Sequence, residues 1–146
     1  MLCMTAEKGG SRMKKLTIIV MLSVALFSCK TAEEALRESG KQPLSANAIR
    51  SALSNNTIHA YTPSGADYTI YFRANGTLHI KSPRVDDNGK WSTEGNDKYC
   101  VKYDVGRGGQ KYCYRIYELG SEYAFYTEEG TERHRFTILK GNPDKL

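Results

Sequence analysis

The sequence predicts a mainly β protein: one short N-terminal amphipathic helix, then an eight-stranded antiparallel meander that closes into a small barrel. From Thr57 onward, residues suited to tight turns recur about every 8–12 positions. Ten tyrosines stand against four phenylalanines and one tryptophan, and such rings fit the half-buried surface of a sheet. Because an open meander would leave two unpaired edges, a closed barrel is favoured, and a two-sheet sandwich is the alternative.

The helix is predicted over Ala46–Ser54, with Ser45 as its N-cap and an apolar stripe that includes Ile49 and Leu53. This stripe is expected to dock on the sheet. Apolar and polar residues alternate in several of the following segments, as they do in half-buried strands. The eight strands are predicted at Thr57–Tyr61, Ala66–Arg73, Thr77–Ser82, Gly89–Thr93, Lys98–Val105, Gln110–Leu119, Glu122–Thr127 and Arg133–Lys140.

The N-terminal segment is typical of an export signal. Two lysines precede an uncharged run, Leu16–Phe27, which is too short to span a bilayer, since a spanning helix needs about 20 apolar residues. The run ends in the letters LFSC, which resemble the lipobox of bacterial lipoproteins, where the cysteine is lipidated and becomes the mature N-terminus. Residues 1–28 are therefore predicted to be a signal peptide, with Met13 as the natural start and Cys29 as the lipidated residue. An ordinary secretory signal is the alternative.

A lipid on Cys29 predicts a protein of the bacterial cell envelope that is held to a membrane through its N-terminus. Lys30 follows the cysteine and is compatible with the outer membrane, facing the periplasm. Residues 29–44 are predicted to form a tether, and residues 45–146 the helix and the single β domain.

The net charge of the chain does not point to a polyanionic partner. The formal charge is +5, but residues 1–28 hold four basic residues and one acidic residue, which leaves 17 basic and 15 acidic residues in the rest. This balance is that of an ordinary solvated surface. Tyrosines also alternate with lysines in KYCVKY, so the rings and the charges lie on opposite faces of a strand. A stacking surface for nucleic acid is not predicted.

Two cysteines, Cys100 and Cys113, remain once Cys29 is assigned to lipid and Cys3 lies in the signal segment. A hairpin that turns at Gly106–Arg107 sets them opposite each other, where Cβ atoms lie ~4.5–5.5 Å apart. An oxidising compartment would make a disulfide between them persist, stabilising the fold by ~3 kcal/mol. A metal site and a redox-active thiol couple are the alternatives, but zinc needs four ligands and the sequence has no CxxC motif.

The sequence carries no recognisable catalytic pattern. It has no GxSxG motif, no glycine-rich phosphate loop and no pair of histidines at the spacing of metal ligands. Paired acids at positions 86–87 and 128–129 lie in predicted turns, where carboxylates are usually solvated. We therefore predict a protein that is not an enzyme and that holds no cofactor and no metal.

Three residues are candidates for binding. Arg107 is the charged tip of a turn rich in glycine, and His134 shares its strand face with Phe136, so that it points into the barrel or lines its rim. Trp91 is either a core anchor or a platform for a ligand.

A series of short motifs spans Ile49–Leu146: GKW at Gly89–Trp91, YC at Tyr99–Cys100, CY at Cys113–Tyr114 and FTILKGNP at Phe136–Pro143. The series is similar to the pattern of a family of small exported Gram-negative proteins of unknown function. The resemblance implies a β fold and the cysteine pair, and it implies no catalytic residues.

These observations predict a non-catalytic binding module in the periplasm. Its partner would be a small apolar or amphipathic ligand in the barrel mouth, or an envelope protein on the rim. An inhibitor of a lysozyme-like hydrolase is the alternative, with Arg107 as the inserting tip.

Overall fold

Eight antiparallel strands form a closed barrel in the computed structural model, which describes residues 30–146. The predicted signal peptide and Cys29 lie outside the described residues. The helices and strands are α1 Ala32–Glu38, α2 Ala46–Leu53, β1 Asn56–Tyr61, β2 Asp67–Phe72, β3 Thr77–Ser82, β4 Val85–Glu94, β5 Lys98–Tyr103, β6 Lys111–Leu119, β7 Glu122–Tyr126 and β8 Glu132–Lys140. A short 3-10 turn, Gly106–Gly109, joins β5 to β6.

The strands follow one another around the wall in chain order, and β8 returns to pair with β1. In this closing pair Asn56 lies opposite Lys140 and Tyr61 opposite Arg135. The predicted barrel is therefore confirmed, and the sandwich alternative is wrong. Closure pairs the backbone N–H and C=O groups of β1 and β8, which an open meander would leave exposed at its two edges.

The barrel has two different ends. Helix α2 covers one of them, the base: Ser45 caps the helix by accepting a hydrogen bond from the Ala48 N–H at 3.2 Å, and Ile49 and Leu53 are buried against the interior. The other end, the mouth, carries the connections at residues 62–66, 83–84, 104–110 and 127–131. The base is therefore closed, and any opening into the interior lies at the mouth.

Aromatic side chains fill the lower and middle part of the interior. The rings of Phe125 and Phe136 stack with centroids 4.4 Å apart, and Tyr99 stacks on Phe125 at 5.3 Å. Trp91 packs edge-on against Phe72 at 5.5 Å. Such contacts bury large apolar surfaces at native packing density, so a cavity through the whole barrel is absent from the described residues.

Strand β4 begins earlier than the sequence predicts. It was expected over Gly89–Thr93 and spans Val85–Glu94, because a two-residue turn at 83–84 pairs Ser82 with Val85. Asp86, Asp87 and Asn88 disfavour strands intrinsically, and pairing with β3 overrides that preference.

Residues 32–44 lie against the barrel, although residues 29–44 were predicted to form a tether. Helix α1 packs Leu36 onto an outer cluster of three buried residues, Tyr117, Ala124 and Tyr126. After the helix, the Leu44 N–H donates to the Ile116 carbonyl at 2.8 Å. The described part of this segment is thus attached to the wall at helix α1 and again at Leu44, while residues 38–42 between them are exposed.

Candidate functional site

A pocket of about 260 Å³ opens at the barrel mouth. Its wall is mostly apolar and combines short side chains with tyrosine rings. The lining residues are Thr62, Ala66, Asp67, Tyr68, Ile80, Ser82, Val85, Asp87, Tyr103, Gly106, Arg107 and His134. Ligand pockets in proteins typically measure about 300–1,000 Å³, so this one suits a small molecule.

The β5–β6 connection places Arg107 beside this pocket. Arg107 has a φ of 55° and Gly108 a φ of 65°, a left-handed conformation that side chains other than glycine rarely adopt. Asp87 holds the connection from β4, since its Oδ2 atom accepts hydrogen bonds from the Gly106 N–H at 2.7 Å and the Val105 N–H at 3.2 Å. These bonds lower the pKa of Asp87.

The Arg107 side chain turns back onto β6 instead of projecting from the tip. Its Nη1 atom donates to the Tyr114 hydroxyl at 2.6 Å, and its guanidinium lies 4.9 Å from the centre of the Tyr112 ring. A cation over an aromatic face gains a further attraction. The guanidinium is therefore held at the mouth while the residue remains exposed to solvent.

A small space of about 20 Å³ lies deeper in the barrel and shares four lining residues with the mouth pocket: Tyr68, Tyr103, Arg107 and His134. Two buried polar atoms border it, the Tyr99 hydroxyl and His134 Nδ1. Neither has a hydrogen-bond partner within residues 30–146. Because a single water-sized group needs about 10–15 Å³, this space accommodates one such group.

The deep end of the site is cationic and rich in phenol groups. Burial raises the pKa of Tyr103 to about 12 and raises the pKa of Tyr99, so both hydroxyls stay protonated. Burial, together with the guanidinium groups of Arg107 and Arg133, lowers the pKa of His134 to about 4. The imidazole is thus neutral at neutral pH. No carboxylate lines the deep space among the described residues.

The side chains at the deep end can donate hydrogen bonds to a ligand. Arg107 and the tyrosine hydroxyls are donors, and they suit a group that accepts hydrogen bonds or carries negative charge. Ile80 and Val85 line the pocket nearer the opening and suit an apolar segment.

Two of the three predicted binding residues, Arg107 and His134, come together at the mouth. Trp91 does not join them: it is 6% exposed, and its indole N–H donates to the Arg73 carbonyl at 3.0 Å. It is a core anchor. Tyr99 and Asp87 also belong to the site, although neither was predicted as a site residue. The inward face of β5 was a signal for Tyr99, whereas the role of Asp87 depends on a contact between β4 and the β5–β6 connection.

The cysteine pair lies on the outer wall, away from this pocket. Cys100 and Cys113 face each other across β5 and β6 in the predicted register and are joined as a disulfide. The Glu94 carboxylate lies within 4.8 Å of both sulfurs. Oxidised sulfurs are not thiolate ligands, so this group is not a metal site.

Comparison with known proteins finds no relative of this chain. No protein family, curated protein or solved structure matches the chain. The resemblance to a family of small exported proteins therefore stays a prediction. Among residues 30–146, neither helix has the length or the apolar character needed to cross a membrane.

Proposed function

We propose that this protein is a non-catalytic binding module of the bacterial cell envelope, anchored through a lipid on Cys29. In this proposal the mouth pocket takes a small amphipathic ligand. The ligand's apolar segment lies along Ile80 and Val85, and its acceptor-rich or anionic end reaches inward to Arg107 and the Tyr99 hydroxyl. The observation that carries the proposal is the buried Tyr99 hydroxyl, which has no partner within residues 30–146 and shares its small space with Arg107. The adjoining mouth pocket has a mostly apolar surface, and its two carboxylates, Asp67 and Asp87, do not line the small space.

The physical reason is that an unsatisfied buried polar group costs about 1–3 kcal/mol. A ligand atom that accepts a hydrogen bond from Tyr99 recovers part of this cost. Charge-assisted hydrogen bonds from arginine are roughly twice as strong as neutral ones. An anionic end group therefore gains from both neighbours, Arg107 and Tyr99.

The alternative, inhibition of a lysozyme-like hydrolase, receives less support. An inhibitor of this kind needs a charged tip that projects into the cleft of its target. The Arg107 guanidinium is instead bonded to Tyr114.

Titration calorimetry with octanoate and octanol tests the ligand part of the proposal. We expect octanoate to bind more tightly than octanol, and we expect Arg107→Ala to weaken octanoate binding about tenfold. Arg84→Ala is the matched control, because Arg84 is exposed on the same rim and does not line the pocket. Equal octanoate binding by the two variants would contradict the proposal.

Lipid labelling tests the anchor. Cys29→Ala should abolish incorporation of labelled palmitate and release the protein from the membrane fraction, since two or three acyl chains are needed for stable attachment. The double change Cys100→Ala with Cys113→Ala is the control, because these two cysteines are joined to each other, and it should leave both unchanged.

A further inference from the structure

The start of α1 is fixed at the mouth end of the barrel. The Glu33 N–H donates to the carbonyl of Gly130, in the β7–β8 connection, at 3.2 Å. Thr31 lies so close to Gly130 that a Cβ atom at position 130 would be 2.7 Å from the Thr31 Oγ1 atom. Helix α1 then runs down the outer wall toward the base. The first described residues are therefore beside the mouth.

Buried charges hold the helix in this place. Glu33 is 4% exposed, and both its carboxylate oxygens accept hydrogen bonds from Arg115 of β6 at 2.5 Å. The Tyr117 hydroxyl donates to the same carboxylate at 2.7 Å, and Arg37 donates at 3.0 Å. A buried carboxylate with this set of donors is costly to pull away from them. Helix α1 is thus a fixed spacer and not a free linker.

The covalent chain sets how far the lipid lies from the mouth. Only Lys30 separates Cys29 from Thr31, and two residues span at most about 7 Å. We propose that α1 holds the barrel with its mouth toward the membrane, so that the pocket opens onto the lipid surface. This inference rests on the proposed lipid anchor.

The rim carries apolar side chains suited to such a surface. Val105, next to the 3-10 turn, is 81% exposed, and Val85, at the start of β4, is 42% exposed. Pro63 and Pro83 are also exposed in the mouth connections. The mouth connections hold two basic residues, Arg84 and Arg107, against three acidic residues, Asp104, Glu128 and Glu129. With no excess of basic charge, the contact would be apolar rather than electrostatic. In this orientation a ligand passes between the bilayer and the pocket without crossing bulk water.

Fluorescence quenching by brominated lipid tests the orientation. The full-length lipidated protein is reconstituted into phosphatidylcholine vesicles with or without brominated acyl chains. Tryptophan replaces either Val105 at the mouth or Leu139 at the base, where Leu139 is 38% exposed. Trp91 is buried in the core and contributes the same background to both. We expect bromination to reduce the emission of Val105→Trp about twofold and to leave Leu139→Trp unchanged.

Two further measurements separate the possible failures. In a flotation assay, vesicles that rise without the protein would show that the anchor is absent, and this result would overturn both the anchor and the orientation. Flotation of the protein with equal quenching at both positions would overturn the orientation alone. Adding Glu33→Gln to Val105→Trp should reduce the quenching, whereas Glu38→Gln, a surface change in the same helix, should not. Quenching that is indifferent to Glu33→Gln would overturn the role of α1.

Discussion

The Tyr99 hydroxyl is enclosed by aromatic rings at the deep end of the site. Its residue is 2% exposed, and the hydroxyl finds no partner within residues 30–146. Tyr114, on the neighbouring strand, is also buried, but its hydroxyl accepts a hydrogen bond from Arg107. The two tyrosines therefore form a matched pair, one with an unsatisfied hydroxyl and one with a satisfied hydroxyl.

Removing each hydroxyl in turn should have opposite effects. We expect Tyr99→Phe to raise the free energy of unfolding by about 1 kcal/mol, because it removes an uncompensated polar group. Tyr114→Phe should lower it by a similar amount, because it leaves Arg107 without its acceptor. Urea denaturation of the ligand-free protein measures both changes. An equal loss of stability in the two variants would show that the Tyr99 hydroxyl is satisfied.

Residues of the site differ in how far the sequence predicts them. Arg107 was accessible to prediction because glycines around it mark a tight turn, and His134 because it shares a strand face with Phe136. The sequence could not predict that the Tyr99 hydroxyl lacks a partner, because this depends on which side chains meet across the barrel.

The β5–β6 hairpin is the element in which local sequence decides the structure. Its glycine-rich turn sets the register that places Cys100 opposite Cys113, as predicted, and Lys98 opposite Arg115. Helix α1 is the opposite case. Its attachment depends on Arg115, which lies 82 positions away from Glu33, and no pattern inside the helix indicates that contact. Helical propensity and capping are visible in the sequence, whereas a docking partner is not.

The disulfide should stabilise the hairpin and the barrel. Replacing both partners, Cys100→Ala with Cys113→Ala, is expected to lower the free energy of unfolding by about 2–3 kcal/mol, because the loop of the unfolded chain is no longer closed. Urea denaturation of the oxidised parent and the double variant provides the measurement. The parent under reducing conditions is the control and should match the variant. No difference between parent and variant would show that the bond does not constrain the unfolded chain.

The attachment of α1 should contribute to stability as well. We expect Glu33→Gln to lower the free energy of unfolding by about 2–3 kcal/mol, because Arg115 loses its buried counter-charge. Glu38→Gln removes a surface pair with Lys30 and should cost less than about 0.5 kcal/mol. Urea denaturation compares the two. Similar losses would mean that α1 is not held by its buried carboxylate.

At the scale of the whole molecule, His134 and Glu33 are two of the groups that make stability depend on pH. His134 has a pKa of about 4 in the folded protein and an ordinary value of 6.5. The unfolded chain therefore binds more protons, and stability is lost as the pH falls from 6.5 toward 4. Burial would raise the pKa of Glu33, but hydrogen bonds from Arg115, Tyr117 and Arg37 lower it from 4.5 to about 2. The stability that the ionised Glu33 carboxylate contributes is therefore lost as the pH falls from 4.5 toward 2.

Acid unfolding should consequently proceed in two ranges. We expect His134→Phe to flatten the decline between pH 6.5 and 4, and Glu33→Gln to flatten the decline below pH 4.5. Urea denaturation across this pH series measures each contribution. If both variants lose free energy of unfolding with falling pH as the parent does, other groups cause the acid sensitivity.

Each of the eight strands is hydrogen-bonded to a neighbour on both sides. Acylated proteins share a surface and meet one another far more often than molecules free in solution. A sheet with a free edge invites strand exchange under such crowding. A continuous wall removes that template, so under the proposed lipid anchor we expect many copies to stand side by side on a bilayer without polymerising.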